Sequence, residues 1–282
     1  MKRKLISTLR LNRGLIISTL ILVSSSVIML FPFYWLIRSA FMTDRQLMTM
    51  PIIWLPTDYS LRNFVAVFNA IPFARYILNS TILVIINMVG TLASCSFIAF
   101  GFARLKFKGQ RFWFALMLST MMLPFTVVMI PQFVGWMAIG AFNTFIPLTV
   151  PAFFGSAFSV FLIMQFYMSI PKDYDEAAFI DGASYFTIYL KILGPLSKPV
   201  LCAVGVFTFM GTWNDFMGPL LYLHRQNLRT VALGLRVFVS EFSAQYNLVL
   251  AGSTMAVIPM IILFFAAQRY FIQGITFTGL KG

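Results

Sequence analysis

Stretches free of Lys, Arg, Asp and Glu divide the chain into long apolar runs with short charged connections. The first runs from Leu15 to Ile37, behind Lys2, Arg3, Lys4, Arg10 and Arg13. A membrane-crossing helix needs about 20 predominantly apolar residues, so this run predicts one span. It exceeds the about 7–15 apolar residues of a cleavable signal, and its end, Phe31-Pro32-Phe33-Tyr34-Trp35, is bulky where a cleavage site needs small residues. A retained first helix is expected. The second run is Tyr76 to Ala103. The third, Phe112 to Pro171, is too long for one crossing at about 1.5 Å per residue. It predicts two helices joined by a hairpin around Gly135 to Pro147, where Gly140, Asn143 and Pro147 interrupt the apolar pattern. Runs from near Pro199 to Leu221 and from about Leu248 to Gln268 complete six expected spans.

Composition supports the pattern. The chain is 60% hydrophobic and 10% charged, with 32 Phe and 17 Met, whereas soluble domains average about 25% charged residues. That excludes a soluble globular domain, and so much apolar surface excludes a solvated disordered chain. The expected class is an all-α integral membrane protein. A net charge of +13 could suggest nucleic acid in a soluble protein, but between spans it encodes orientation and attraction to anionic lipid. No nucleic-acid partner is expected. With both termini in the cytoplasm, the inner segments hold Lys2, Arg3, Lys4, Arg10, Arg13, Arg104, Lys106, Lys108, Arg111, Lys172, Lys191, Lys198, Arg269 and Lys281. The outer segments hold half as many: Arg38, Arg45, Arg62, Arg75, Arg225, Arg229 and Arg236. That excess on one side predicts the orientation. Cys95 and Cys202 lie inside apolar runs and read as small core residues rather than a disulfide or zinc site.

The connection from Pro171 to Lys198 differs in kind from the other, purely basic inner segments. It carries Asp173, Asp175, Glu176 and Asp181, half of the eight acidic residues. Pro171 is placed to open a helix, and carboxylates in its first turns favour the helix dipole. Gly182 is expected to end that helix, and Ser184 to cap a second short one that stops near Gly194-Pro195. The result is a helix-turn-helix on the cytoplasmic membrane surface. Its small residues Ala177 and Ala178 would let a groove in a partner approach closely, and Glu176 would offer a charge to an Arg or Lys there. A merely well-capped amphipathic loop is the alternative.

The sequence Glu176-Ala177-Ala178, followed by Gly182 and Ile192, resembles the EAA loop of permease subunits of ABC importers. That family usually continues Ile-x-Leu-Pro, where this chain has Ile192-Leu193-Gly194-Pro195. Further stretches narrow the resemblance to the sugar-importing, maltose-permease type: Tyr59 to Phe64, Ala178 to Ala183, Trp213-Asn214-Asp215-Phe216, and Gln268 to Thr276. The resemblance implies a type I ABC importer permease with a cytoplasmic N-terminus (1–14), a six-helix permease domain (15–272) with its coupling loop at 171–198, and a cytoplasmic tail (273–282). It implies that Glu176, Ala177, Ala178, Asp181, Gly182, Ile192 and Pro195 couple the spans to a cytoplasmic ATPase. It also implies that the tail, beginning at Gln273 and Gly274, reaches between ATPase subunits, where its glycines suit an extended form.

No acidic residue sits at the centre of a span, His224 is the single histidine, and no paired-His pattern occurs. A proton relay, catalytic metal and acid/base pair are unsupported. The chain has no G-x-x-x-x-G-K-[ST] loop, so ATP must be bound elsewhere. The intramembrane polar candidates are Asn87, Ser119, Thr120, Gln132, Asn214 and Asp215. A carboxylate near the outer third of span five is costly unless it faces a bundle interior or wet cavity. Asp215 with Trp213 and Asn214 is therefore expected on the translocation path, unless Asp215 pairs with an outer Arg or caps a helix break before Gly218-Pro219. Asn87 and Gln132 contact substrate or make interhelical hydrogen bonds. Pro124, Pro131, Pro151 and Pro259 permit kinks.

The expectation is a non-enzymatic permease in a bacterial inner membrane, with no cofactor of its own. It would work with a second homologous permease, two ATPase subunits that bind ATP and Mg, an extracytoplasmic sugar-binding protein and membrane lipid. An oligosaccharide is the expected cargo. Glycerol phosphate or another polyol derivative is the alternative, given Arg225, Arg229 and Arg236, and an ion-gradient-driven secondary transporter is the rival class.

Overall fold

A computed structural model describes the backbone of residues 2–57, 59–241 and 245–278, and side chains within 14–57, 59–236, 238–239 and 245–268. The described residues are helical wherever they are regular. Gly14–Ala40, Phe73–Arg104, Ile146–Ser169 and Tyr246–Gln268 are each long and apolar enough to cross a membrane. Two bent pairs, Gln110–Met122 with Phe125–Ala138 (99°) and Tyr185–Leu196 with Lys198–Trp213 (78°), bring the total to six if each is one span. Four of the six expected runs are thus single helices of spanning length; the other two reach it only as bent pairs, and the second pair takes in the end of the expected loop.

The first bend has a local cause. Proline excludes the residue before it from helical geometry, and Leu123 before Pro124 is extended at φ −80°, ψ 113°. The second lies at Ser197, just before the proline that opens the following helix.

Two compact units form, Met1–Ile71 with Phe238–Met255, and Pro72–Val237 with Ala256–Gly282. In the first, α1 (Lys2–Ala40) and α2 (Arg62–Ala70) are joined by an irregular segment holding the short helix Asp44–Leu47. Thr43 and Gln46 form a reciprocal capping box at that helix. Asn63 donates to the carbonyls of Ala40 and Met42, both at 2.8 Å, and accepts from the Asn247 side chain at 3.0 Å. The α1 side chains from Leu15 to Leu30 are widely exposed, as lipid-facing positions require.

The second unit contains α3 (Phe73–Arg104), α4 (Gln110–Ser119), α5 (Phe125–Ala138), α6 (Ala157–Ser169), α7 (Asp173–Ile180), α8 (Lys198–Trp213), α9 (Met217–Tyr222) and the start of α10 (Val231–Glu241). It also takes in the later part of α11 (Tyr246–Thr278). Its core is built where α3, α6 and α8 meet. Cys95, Ala99 and Phe100 pack with Val160, Ile163, Met164, Tyr167, Val200 and Val204. Near the other end of α3, Asn79 donates to the carbonyls of Asn227 and Arg229, both at 2.9 Å. There Ser80 accepts the Val231 N–H at 2.9 Å, and Gly234 lies so close to the Tyr76 ring that a Cβ would overlap it.

The expected hairpin is the turn between α5 and Ile146. Asn143 adopts φ +56° there. Its carboxamide oxygen accepts the N–H groups of His224 (2.8 Å) and Arg225 (3.0 Å), and its own N–H donates to the Tyr222 carbonyl at 3.0 Å. Asn143→Ala removes two acceptor contacts and leaves a positive φ that alanine disfavours, costing about 1–2 kcal/mol. The thermal unfolding midpoint in detergent should fall by about 2–8 °C.

Two expectations need correction. The second loop helix stops at Leu196, next to the expected Gly194-Pro195. Residues Ile188–Leu193 form a π-helical turn in which the Gly194 N–H bonds back to the Tyr189 carbonyl. That widened turn makes room for a proline, which has no N–H for a regular helix bond. Span five is not continuous to Leu221, because α8 ends at Trp213 and α9 begins at Met217. The tail is helical rather than extended through Thr278, so Gln273 and Gly274 lie in α11. No proline follows Pro259 to stop that helix, while Gly279 to Gly282 lie outside the described residues.

Candidate functional site

The acidic loop packs onto the core of the second unit by one face only. Helix α7 carries Asp173, Asp175 and Glu176 in its first turn. It ends with the Gly182 N–H bonded to the Phe179 carbonyl (3.0 Å) and the Ala183 N–H to the Ala178 carbonyl (2.9 Å). With Gly182 at φ +79°, this is a Schellman cap, which requires a left-handed residue that glycine supplies without strain. Ser184 then accepts the Thr187 N–H at 3.2 Å, as expected of a cap.

The expected coupling residues divide by burial. Glu176, Ala177, Asp181, Gly182 and Pro195 are exposed. Ala178 is buried in the α3–α6–α8 cluster beside Ile188 and Leu193, and Ile192 packs against it. These two are anchors of the loop. The outward face also shows Tyr174, Phe179, Tyr185 and Phe186, and Ile180 is 87% exposed. Together they form an apolar patch beside exposed carboxylates.

Asp175 was not anticipated as structural. Its carboxylate lies 2.6 Å from the Arg104 guanidinium at the end of α3, with the two side chains 12% and 4% exposed. Arg104 also donates to the Ile170 carbonyl, just past α6, at 3.0 Å. Burial pushes the Asp175 carboxyl above its ordinary range, against the opposing pull of Arg104 and Lys172. The spacing of Asp175 and Ala178, one helical turn apart, was the available signal for a common inward face.

A cavity of about 550 Å³ lies within the same unit, away from the loop. Asn87 and Thr91 of α3, Gln132 of α5, Thr208 and Thr212 of α8, and Asp215 in the break after α8 all line it. Asp215 accepts the Gly218 N–H at 3.1 Å, capping the restart of the helix at α9. The expected cap at the helix break is thus present, and the same carboxyl lines the cavity.

Its neighbours face elsewhere. Trp213 is buried, stacks on Phe209 and donates its indole N–H to the Ala256 carbonyl at 3.0 Å. Asn214 is exposed and donates to the Met210 carbonyl at 2.9 Å. Ser119 and Thr120 bond to carbonyls of their own helical turn. The side chains of Gln273 and Gly274 lie outside the described residues. Thr91, Thr208, Thr212 and Tyr222 were missed, because single hydroxyls in apolar runs carry no pattern until the helices are packed.

Membrane-spanning helices around a polar cavity, with a surface helix anchored among three of them, define a permease. The profile of the family described as binding-protein-dependent transport system inner membrane component matches residues 95–277, and the chain belongs to that family. It is 33% identical over 254 residues to the probable ABC transporter permease protein YurM of Bacillus subtilis, covering 89% of this chain and 84% of that one. It is 33% identical over 258 residues to the arabinooligosaccharides transport system permease protein AraQ of Halalkalibacterium halodurans, covering 90% and 92%. It is 32% identical over 273 residues to the sn-glycerol-3-phosphate transport system permease protein UgpE of Salmonella typhi, covering 94% and 97%. A bacterial ABC transporter chain involved in import of the acidic polysaccharide alginate shares the fold, with a TM-score of 0.80 and 21% identity over 91% of this chain and 95% of that one.

The chain is thus a multi-pass inner-membrane permease of a binding-protein-dependent ABC importer, not itself catalytic, in a family whose members carry no cofactor of their own. Membership implies partner subunits and a binding protein, and it sets aside the gradient-driven transporter.

Proposed function

We propose that the chain moves a neutral oligosaccharide across the membrane by alternating access. It pairs with a second, homologous permease and with two ATPase subunits that bind ATP and Mg, and it receives cargo from an extracytoplasmic sugar-binding protein. Both termini are cytoplasmic in this reading. The exposed face of α7, with Glu176, Ala177, Asp181 and Gly182, docks in a cleft of the ATPase, and the tail from Gln273 adds a second contact.

The observation that carries the choice of cargo is the lining of the cavity. Asn87, Gln132, Thr91, Thr208 and Thr212 are neutral hydrogen-bonding groups, Asp215 adds a carboxyl, and among the described residues no Lys, Arg or His lines it. Hydroxyls of a sugar match such groups, whereas a phosphate calls for cations. The volume falls within the about 300–1,000 Å³ of small-molecule sites. The arabinooligosaccharide systems among the relatives agree with this reading, and the glycerol-phosphate systems are equally similar in sequence.

The test is uptake of labelled arabinooligosaccharides and labelled sn-glycerol 3-phosphate by cells with and without this permease. Permease-dependent uptake of the oligosaccharide, undiminished by excess sn-glycerol 3-phosphate, is expected. Permease-dependent uptake of the phosphate alone would overturn the choice.

A further inference from the structure

The ion pair between Arg104 and Asp175 joins three parts of the second unit at one guanidinium. Arg104 is the last residue of α3, the helix whose middle lines the cavity through Asn87 and Thr91. Its Nε faces the Asp175 carboxylate at 2.6 Å, and one terminal nitrogen donates to the Ile170 carbonyl at 3.0 Å, where α6 gives way to the loop. Asp175 and Glu176 are adjacent on α7 but differ in environment, Asp175 buried and Glu176 exposed. One helix thus offers a carboxylate outward and sinks another into its own bundle.

Ala178, Ile188 and Leu193 anchor the loop by non-directional apolar contacts. The Arg104–Asp175 contact adds a buried ion pair between the loop helix and the end of α3, and loss of either partner leaves an uncompensated charge. We propose that Arg104 and Asp175 are positioning residues that transmit displacement of α7 to α3, and hence to the cavity, during each ATP cycle. This rests on the reading of α7 as the ATPase-docking helix. Glu176 makes the docking contact, and the Asp175–Arg104 pair carries its movement inward.

The experiment uses the complete importer in proteoliposomes with its binding protein. It compares wild type, Asp175→Asn, Arg104→Gln, the exchanged pair Arg104→Asp with Asp175→Arg, and Glu176→Arg. Three quantities are read: ATPase subunit retained on purification, ATP hydrolysis rate, and oligosaccharide taken up per ATP hydrolysed. Coupling between sites commonly amounts to about 5- to 150-fold. For Asp175→Asn and Arg104→Gln, uptake per ATP should fall about tenfold, within that coupling range, with retained ATPase and hydrolysis near wild type. The exchanged pair should recover part of the ratio. Glu176→Arg should instead lose the ATPase subunit.

An unchanged ratio in both single variants would overturn the proposal, as would loss of the ATPase subunit in them to the same degree as in Glu176→Arg. Failure of all three pair variants to accumulate in the membrane would assign the pair to folding and also overturn it. Retained ATPase and normal uptake in Glu176→Arg would instead defeat the docking reading, independently of the pair.

Discussion

Gly182→Val is expected to leave the permease inserted while cutting uptake per ATP about 5- to 150-fold, the span of ordinary coupling energies. Gly182 sits at φ +79°, a conformation that a β-branched residue adopts only as an outlier. Holding valine there costs about 1–3 kcal/mol. The chain can relieve that strain by unwinding the last turn of α7. Doing so releases the Schellman bonds to the Ala178 and Phe179 carbonyls and withdraws Ala178 from the core. Nothing lies within 4 Å of a Cβ built at Gly182, so bulk within this chain plays no part. Asparagine tolerates the left-handed region, and Gly182→Asn should keep most of the coupling. Uptake and ATP hydrolysis in proteoliposomes measure both variants. Equal losses in the two would point to a steric clash with the partner, and full activity in Gly182→Val would refute the cap as a coupling element.

The parts of this protein legible in its sequence are those set by a single strong local rule. Charge-free runs located the spans because a bilayer admits little else over that length. Gly182 and Ser184 were legible because few residues take those backbone positions or caps. The bend at Pro124 was visible as a proline that permits a kink, whereas its 99° angle was not. Asp175 was illegible for a different reason. In a short helix rich in acids it looks solvated, and only Arg104, brought close by the fold, explains its burial. The same holds for Trp213-Asn214-Asp215, which the sequence presents as one group. The helix break after Trp213 sends the first toward Ala256, leaves the second exposed and turns the third into the cavity.

That break underlies the second large expected effect. A Cβ on Gly218 would stand 2.5 Å from the Asp215 Oδ2 and 2.8 Å from a methyl of Leu148. Both are ends of side chains that can swing aside, so Gly218→Ala should cost little stability. The swing, however, breaks the bond from the Gly218 N–H and moves a carboxyl that lines the cavity. A hydrogen bond to a charged group contributes about 1.5–3 kcal/mol, so its loss weakens binding about tenfold or more. Gly218→Ala is therefore expected to raise the KM for oligosaccharide uptake at least about tenfold, with ATP hydrolysed per sugar imported unchanged at saturation. That pattern is the reverse of the Gly182→Val result, because one change acts on cargo and the other on transmission. Gly211 lines the same cavity, yet a Cβ there meets nothing within 4 Å. Gly211→Ala should accordingly stay near wild type. If the two alanine variants behave alike, the position of Asp215 does not govern cargo binding and the cavity loses its claim to the translocation path.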